Sequence, residues 1–270
     1  MNNRYIGALV LSPFVIFLFL GGIVLKYIVL ALSLGGMYEL YKVSRVKGIN
    51  PISYAGYGLC IIYYILLGKS TTFEFIFLLT IISLLLLFCI PVFDTKYNYV
   101  DIAVTLLSFL YIPIFFSFIV LVENMLYGNY FVWLIFIAAW MCDTSAYYAG
   151  KFFGRHKLCP KVSPKKTIEG SIGGLIGSAA ACGAFGAFVI IKGVPVQLIH
   201  FVIIGLIAGA VSQFGDLTAS SIKRYSGVKD YSNLIPGHGG ILDRFDSILF
   251  SSVIVFYYLS FVLNIHIANI

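Results

Sequence analysis

The sequence predicts an all-α polytopic membrane protein with about nine transmembrane helices. Hydrophobic residues make up 60% of the 270 residues and charged residues only 11%, whereas an average soluble domain has about 25% charged residues. So few charges cannot shield that much apolar surface from water, and a disordered chain would be poor in apolar residues. No segment alternates as a barrel strand does, so each apolar run is expected to form a helix, which satisfies its own backbone groups in lipid.

Nine apolar runs approach the roughly 20 residues that a membrane helix needs. The predicted spans are 5–24, 27–42, 53–68, 72–90, 102–122, 130–150, 170–191, 196–216 and 246–264. The first run could pass for a signal peptide, but no clear small-residue cleavage site follows it, so we expect it to be a span. We expect one integral membrane domain over 1–270, with N-terminal helices in 1–125 and catalytic helices and loops in 126–270.

The distribution of positive charge predicts the orientation in the cell membrane. If the N-terminus is cytoplasmic, 15 of the 18 Lys and Arg residues fall on the cytoplasmic side, as the positive-inside rule requires. The C-terminus is then outside. The net charge of +7 therefore reflects topology, and no nucleic-acid partner is expected. Ten of the 15 charges lie in the loops after spans six and eight, where they either contact anionic lipid or form a polyanion site.

The 11 carboxylates divide into two groups. Five lie at span ends or in short loops and are expected to be solvated: Glu39, Glu74, Asp94, Asp101 and Glu123. The other six lie in the second half, near the predicted cytoplasmic side, and Asp143, Asp216 and Asp243 sit on apolar helices or at their ends. Because an ionised carboxylate there costs about 2.5–3.5 kcal/mol on insertion scales, each needs a cation, a proton or a polar cavity.

A polar ladder is predicted at the end of span eight. If the helix continues, Ser212, Asp216, Ser220 and the Lys223-Arg224 pair share one face at three- or four-residue steps. This face leads from the membrane to the cytoplasm. It is either a helix-packing face with a salt-bridged Asp or part of a reaction site.

A glycine-rich loop, residues 236–240, precedes the ninth span. Glycines let a ligand approach the main chain, and the start of the following helix suits a phosphate. Asp243 and Asp246 lie three residues apart in that first turn, beside Arg244. His238 could orient a phosphate or could be structural.

The loop after span six is basic and rich in hydroxyl groups. Lys165 and Lys166 are followed by Thr167, and donors of this kind suit a triphosphate. The seventh span, 170–191, is rich in small residues and is expected to be a close-packing helix. Clustered cations beside clustered carboxylates are what nucleotide chemistry with Mg²⁺ needs, because carboxylates hold the metal and Lys or Arg neutralise the phosphates.

The residues from 220 to 246 also carry a resemblance. They read Ser220-x-Ile222-Lys223-Arg224, four residues, Lys229-Asp230-x-Ser232, two residues, Ile235-Pro236-x-His238-Gly239-Gly240-Ile241-x-Asp243-Arg244-Phe245-Asp246. This pattern resembles the signature of the phosphatidate cytidylyltransferase (CDP-diacylglycerol synthase) family, with no departure. The chain length and the loop from Asp143 to Ser171 are similar to those of short bacterial members.

The resemblance implies a reaction, its partners and its site. The reaction is CTP + phosphatidate → CDP-diacylglycerol + pyrophosphate, at the cytoplasmic face of the bilayer, in a homodimer. It implies Mg²⁺ on Asp216 and Asp243, with a second divalent ion or a monovalent cation such as K⁺ as an option. The expected catalytic residues are Asp216, Asp243, Asp246, Lys223 and Arg224. The expected substrate-binding residues are Asp143, Lys165, Lys166, Ser220, Lys229, His238, Gly239, Gly240 and Arg244.

Three other functions stay open on the sequence. A CTP-dependent lipid-alcohol kinase would use similar parts but transfer the γ-phosphoryl group. A secondary transporter would use intramembrane acids as an ion path, but neither an inverted repeat nor a pair of broken helices is apparent. A structural lipid-binding scaffold would give no reason for carboxylates beside basic loops.

Overall fold

The computed structural model of the protein describes residues 16–67, 73–235, 237 and 239–267, and the side chains of all of these except 73–76. Its helices are α1 (Gly22–Arg45), α2 (Ser53–Leu66), α3 (Phe73–Phe93), α4 (Tyr99–Phe109), α5 (Phe115–Glu123), α6 (Gly128–Phe153), α7 (Ile168–Ile191), α8 (Leu198–Ser226) and α9 (Leu242–Tyr257). Short π-helical segments, Leu110–Ile114 and Tyr258–Val262, continue α4 and α9. The predicted roles of the Glu74 side chain and of His238 lie outside this description.

Six helices in the described part of the chain are long and apolar enough to cross a membrane. They are Gly22–Arg45, Tyr99–Glu123, Gly128–Phe153, Ile168–Ile191, Leu198–Ser226 and Leu242–Val262. Two further apolar helices, Ser53–Leu66 and Phe77–Phe93, are shorter. The predicted helical membrane protein is therefore confirmed in this coarser form, while nine spans and their orientation stay predictions.

The prediction of an all-α fold is wrong in one place. The loop after α6 contains a two-stranded antiparallel hairpin, β1 (Lys157–Cys159) and β2 (Ser163–Thr167). Its turn is closed by the Val162 N–H, which donates to the Cys159 carbonyl at 3.2 Å. Pro160 sits at the second position of this turn, where its fixed φ is favoured. Residues expected to form an irregular basic turn therefore form a short ribbon.

Two predicted boundaries move because polar residues continue an apolar helix. α8 ends at Ser226, ten residues beyond the predicted end of span eight. α9 begins at Leu242, four residues before the predicted start of span nine. A prediction from the apolar run alone therefore makes α8 and α9 too short at the ends that carry the predicted site residues. Near the other end of the chain, helix α1 is preceded by a break at Gly21, which has φ 58°.

The chain divides into two compact units. The first comprises Met1–Ser117 with Ser226–Leu242, and the second comprises Phe118–Tyr225 with Asp243–Asn269. The first unit thus combines the N-terminal helices with the glycine-rich segment, which lies more than 100 residues later in the chain.

Buried hydroxyl groups in the first unit satisfy the π-helical segment Leu110–Ile114. Pro113 has no N–H, and a π turn leaves carbonyl groups without their usual partners. The Tyr64 hydroxyl donates to the Pro113 carbonyl at 3.1 Å, and the Ser117 hydroxyl donates to the Ile114 carbonyl at 2.6 Å. Side chains therefore provide the donors that the backbone lacks in a site without water.

Asp101, expected to be solvated, is a buried capping residue in the first unit. It is 0% exposed. Its carboxylate accepts from the Asn98 N–H at 2.9 Å, in a capping box that starts α4, and from the Asn50 N–H at 2.6 Å. Asp94, by contrast, is partly exposed and pairs with Lys96 at 2.7 Å, as a solvated loop acid should.

The second unit is built around the close contact of α6 with α7. At Gly174 an added Cβ would lie 2.9 Å from the Cys142 carbonyl and 3.0 Å from the Ala146 side chain. The Ser178 hydroxyl of α7 also donates to the Ala138 carbonyl of α6 at 3.1 Å. The prediction that span seven is a close-packing helix is confirmed.

Replacing Gly174 with valine is expected to lower the free energy of unfolding by about 1–3 kcal/mol, as at other overpacked sites. The melting temperature of the purified protein should fall accordingly. The cause is that the two added methyl groups have no space against α6. Ile176→Val is the matched control, because Ile176 is on the same helix and is 65% exposed. Equal melting temperatures in detergent for both variants would contradict the tight packing of this helix pair.

Candidate active site

The predicted polar face of α8 is present, and Asp216 is at its centre. The Lys166 ammonium contacts the Asp216 carboxylate with an Nζ–Oδ2 distance of 2.6 Å. The Ser220 hydroxyl, one turn further along α8, donates to Oδ1 of Asp216 at 3.2 Å. Both side chains of the ion pair are partly exposed, Lys166 at 25% and Asp216 at 30%. An incoming anion can therefore reach the pair.

A second, more deeply buried ion pair joins the end of α8 to the start of α9. The Lys223 ammonium lies 2.6 Å from Oδ1 of Asp243. The two side chains are 11% and 4% exposed. A charge buried to this extent in an apolar helix requires a partner of opposite sign. The pair therefore fixes the first turn of α9 against the last turns of α8.

Two further carboxylates lie close to Asp216. Asp246 is 8% exposed, and its Oδ1 accepts from the Ser247 N–H at 2.7 Å. Asp143 of α6 lines the same cavity as Asp216. Both carboxylates are within range of electrostatic interaction with Asp216. Asp216 therefore interacts electrostatically with a carboxylate of α6 and one of α9, and repulsion between like charges favours the binding of a cation.

A cavity of about 340 Å³ opens beside these acids in the second unit. Its walls come from α6, the hairpin, the start of α7 and the middle of α8, with Asp143 and Asp216 among the lining residues. Lys151, Lys165 and Lys166 also line it. The cavity therefore combines three cations with two carboxylates, the mixture that a nucleotide with a bound metal ion requires.

Gln213 fixes the end of the cavity where α7 begins. Its Oε1 accepts from the Ser171 hydroxyl at 2.5 Å, and its Nε2 donates to the Ser171 carbonyl at 3.1 Å. These bonds hold the start of α7 against α8, one turn before Asp216. The N-terminus of α7 is itself capped by Thr167, whose hydroxyl oxygen accepts from the Gly170 N–H at 3.1 Å.

The remaining predicted residues of the second unit lie outside the cavity lining. Arg224 is exposed, and its Nε donates to the Val162 carbonyl in the hairpin turn at 3.3 Å. Arg244 is exposed on the first turn of α9. The structure thus brings Asp143, Lys165, Lys166 and Asp216 to one cavity.

The described residues around the glycine-rich loop belong to the first unit, and a hydrogen bond joins the residue before the loop to Gly239. The Gly239 carbonyl accepts from the Ile235 N–H at 2.8 Å. Gly239 has φ +84°, a conformation in which glycine is favoured. Gly240 is buried, and Lys229 is exposed at the beginning of the segment.

The carboxylates fit a divalent metal by their chemistry, because hard oxygen ligands suit Mg²⁺. Each of the two predicted ligands, Asp216 and Asp243, is bound to a lysine in this structure. Among the described residues, no three His, Cys, Asp or Glu side chains are grouped closely enough to form a metal site by themselves. The assignment of Mg²⁺ to Asp216 and Asp243 stays a prediction.

Three residues of the site were not singled out from the sequence: Lys151, Gln213 and Ser247. Lys151 lies two turns after Asp143 on α6, a spacing that could have placed it on the same face. Gln213 is three residues before Asp216, so its position on the polar face was readable. Nothing in the sequence pattern indicates Ser247, whose N–H contacts Asp246, because serines are frequent in these helices.

Comparison with known proteins decides the family. The profile of the cytidylyltransferase family matches residues 2–262 of the chain. The chain belongs to the cytidylyltransferase family. The match covers all six long apolar helices and every residue of the cavity. The resemblance found in residues 220–246 is therefore confirmed for almost the whole chain.

Curated relatives in the cytidylyltransferase family carry one functional name. The chain is 30% identical over 255 residues to the phosphatidate cytidylyltransferase of Bacillus subtilis, covering 91% of this chain and 93% of the relative. It is 41% identical over 155 residues to the phosphatidate cytidylyltransferase of Staphylococcus saprophyticus and 40% identical over 157 residues to that of Staphylococcus aureus. Those two matches cover 57% of this chain and 58% of each relative.

Replacing Lys223 with methionine is expected to destabilise the protein by about 3–5 kcal/mol, because the Asp243 carboxylate would stay buried without its nearest cation. Lys223→Met combined with Asp243→Asn should recover most of the lost stability, since the buried charge is then gone. Lys96→Met, which breaks an exposed pair, is the control and should have no measurable effect. Thermal denaturation in detergent measures all three, and an unrecovered double variant would contradict the pairing.

Proposed function

We propose that the chain transfers the cytidylyl group of CTP to phosphatidate, releasing pyrophosphate and forming CDP-diacylglycerol. The main support for this proposal is the cavity, where three lysines, Lys151, Lys165 and Lys166, lie beside the carboxylates of Asp143 and Asp216. The names of the relatives support the same reaction. A site of this kind, on helices apolar enough to cross a membrane, suits a reaction between a lipid and a soluble nucleotide.

In the proposed reaction the lysines of the cavity bind phosphate oxygens. A phosphate oxygen of phosphatidate attacks the α-phosphorus of CTP, and the bond to pyrophosphate breaks. Positioning and neutralisation of charge provide most of the rate enhancement in such transfers. Lys166 would exchange its contact with Asp216 for a phosphate oxygen, because both side chains line the cavity. Arg224, Arg244 and Lys229 are proposed to add positive charge for the two substrates.

We also propose that Mg²⁺ is held by Asp216 and Asp243, with Asp246 and Asp143 as further candidate oxygen ligands. A bound divalent ion would neutralise the developing charge on the phosphate oxygens. The electrostatic interactions of Asp216 with Asp143 and with Asp246 support the proposal, because repulsion between carboxylates favours a cation. A second divalent ion or K⁺ stays an option, and Gly239 and Gly240 are proposed to offer backbone N–H groups to a phosphate.

For the membrane arrangement we propose nine spans in the cell membrane, a cytoplasmic N-terminus and an active site that faces the cytoplasm. The concentration of Lys and Arg in the segments beside the site supports this orientation. The homodimer implied by the family resemblance stays a prediction. A CTP-dependent lipid kinase is the alternative that shares these parts.

Incubating the purified protein with α-³²P-labelled CTP, phosphatidate and Mg²⁺ should move the label into the lipid phase. The reason is that a cytidylyltransferase transfers the α-phosphorus, whereas a kinase transfers the γ-phosphorus and leaves the label on CDP. Extraction with organic solvent and chromatography of the lipid measure the product. A parallel assay with γ-³²P-labelled CTP and diacylglycerol is the control, and label in the lipid of that assay alone would favour the kinase.

Asp216→Asn and Asp243→Asn are each expected to reduce turnover by about 10²-fold or more, the scale of a lost electrostatic contact to the transition state. Chelation of divalent ions with EDTA should abolish wild-type turnover, and added Mg²⁺ should restore it. Lys42→Ala is the control, because Lys42 is exposed on α1 and lies outside the proposed site. Near-wild-type turnover in both Asn variants would contradict the metal assignment.

A further inference from the structure

Glu39 of α1 is a buried carboxylate that binds the glycine-rich segment of the first unit. It is 1% exposed, although a span-end acid was expected to be solvated. Its Oε1 accepts from the Ser232 hydroxyl at 2.6 Å and from the Ile241 N–H at 2.8 Å. Its Oε2 accepts from the Leu242 N–H at 2.9 Å. One side chain thus receives three hydrogen bonds from residues about 200 positions later in the chain.

The bonded N–H groups are those that a helix leaves unsatisfied at its start. Leu242 is the first residue of α9, and Ile241 precedes it. The first N–H groups of a helix have no partner inside the helix and carry partial positive charge. Capping side chains usually come from the adjacent sequence. Here a carboxylate from α1 provides the cap instead, with charge-assisted hydrogen bonds.

Two glycines leave the space in which the Glu39 carboxylate meets residues 240–242. A Cβ added to Gly240 would lie 2.6 Å from Oε2 of Glu39, so any side chain there would displace it. On α1, Gly35 lies one turn before Glu39, and the Ile241 side chain occupies the space where a Gly35 side chain would project. The absence of side chains at both glycines therefore lets the segment reach Glu39.

We propose that Glu39 is a positioning residue for the reaction. By fixing the start of α9, it fixes the backbone from which Asp243 and Asp246 project in the first turn and a half of that helix. A displacement of about 1 Å in a catalytic group can reduce turnover by 10²-fold. The catalytic consequence of this cap rests on the proposed function. The hydrogen bonds of the cap do not depend on that function.

Glu39→Gln tests the proposal because glutamine keeps the size of the side chain and removes its charge. Its amide nitrogen is a donor and would face N–H groups that also donate. Turnover number is expected to fall by about 10- to 100-fold. The KM for CTP should rise by a smaller factor than the turnover number falls, because Lys151, Lys165 and Lys166, which are proposed to bind phosphate oxygens, lie on α6 and the hairpin.

Asp101→Asn is the matched control. Asp101 is also a buried carboxylate of the first unit that accepts two backbone N–H groups, one from Asn98 at the start of α4 and one from Asn50. If Glu39 had only a structural role, both variants would lose stability and turnover alike. We expect the turnover number of the Asp101 variant, per folded molecule, to stay within about twofold of wild type. Equal losses in the two variants would overturn the proposal.

Hydrogen exchange provides a readout that does not depend on activity. In Glu39→Gln the amides of Ile241 and Leu242 should exchange about tenfold faster or more, since local opening becomes easier, whereas Asp101→Asn should leave them unchanged. Unaltered exchange would overturn the cap. A wild-type protein without cytidylyltransferase activity would contradict the proposed function alone, because the exchange result would stand.

Two further variants keep the test usable if Glu39→Gln does not fold. Gly240→Ala retains the carboxylate but displaces it, and should reproduce the faster exchange and the loss of turnover. Ser232→Ala removes one of the three hydrogen bonds and should give a smaller loss of both. Normal exchange and turnover in Gly240→Ala would overturn the proposal.

Discussion

The structure depends on the neutralisation of carboxylates that lie on apolar helices. Water is scarce there, so each acid must receive a cation or several hydrogen-bond donors. Asp216 contacts Lys166, Asp243 contacts Lys223, and Glu39 receives three donors. Each contact joins segments that are distant in sequence. The same groups that would be costly in isolation therefore determine which segments meet, and the contact with Asp216 places Lys166 at the cavity.

Much of the second unit could be predicted from the sequence, because the relevant information is local. The four-residue spacing of Ser212, Asp216 and Ser220 defines one face of a helix, and the helix does continue to Ser226. The steps of small residues in α7 indicate close packing, and the contact with α6 confirms it. The helix ends were predicted less well, because a polar residue that is neutralised by a partner can remain helical beyond the apolar run.

The partners themselves could not be predicted, because they depend on tertiary distances. Five Lys and Arg residues follow α6 closely, and nothing in their order indicates that Lys166 contacts Asp216. Glu39 looks like an ordinary acid at the end of a span, and its partners lie 202 and 203 residues away. The β-hairpin was missed for a related reason, since two strands of three and five residues carry too little periodicity to be read.

The close contact of α6 with α7 has a consequence for how molecules enter the cavity. Two helices that touch through glycine, alanine and backbone atoms have no side chains that can rotate away to make room. The two helices therefore form one stiff side of the cavity, because the distance between them cannot increase without the loss of many dispersion contacts at once. The hairpin, which has few residues and a solvent-facing turn, is the more easily deformed side of the cavity. The hairpin is joined to α8 by the hydrogen bond from Arg224 to the Val162 carbonyl, so any widening of the cavity has to come from the hairpin side and not from the helix pair.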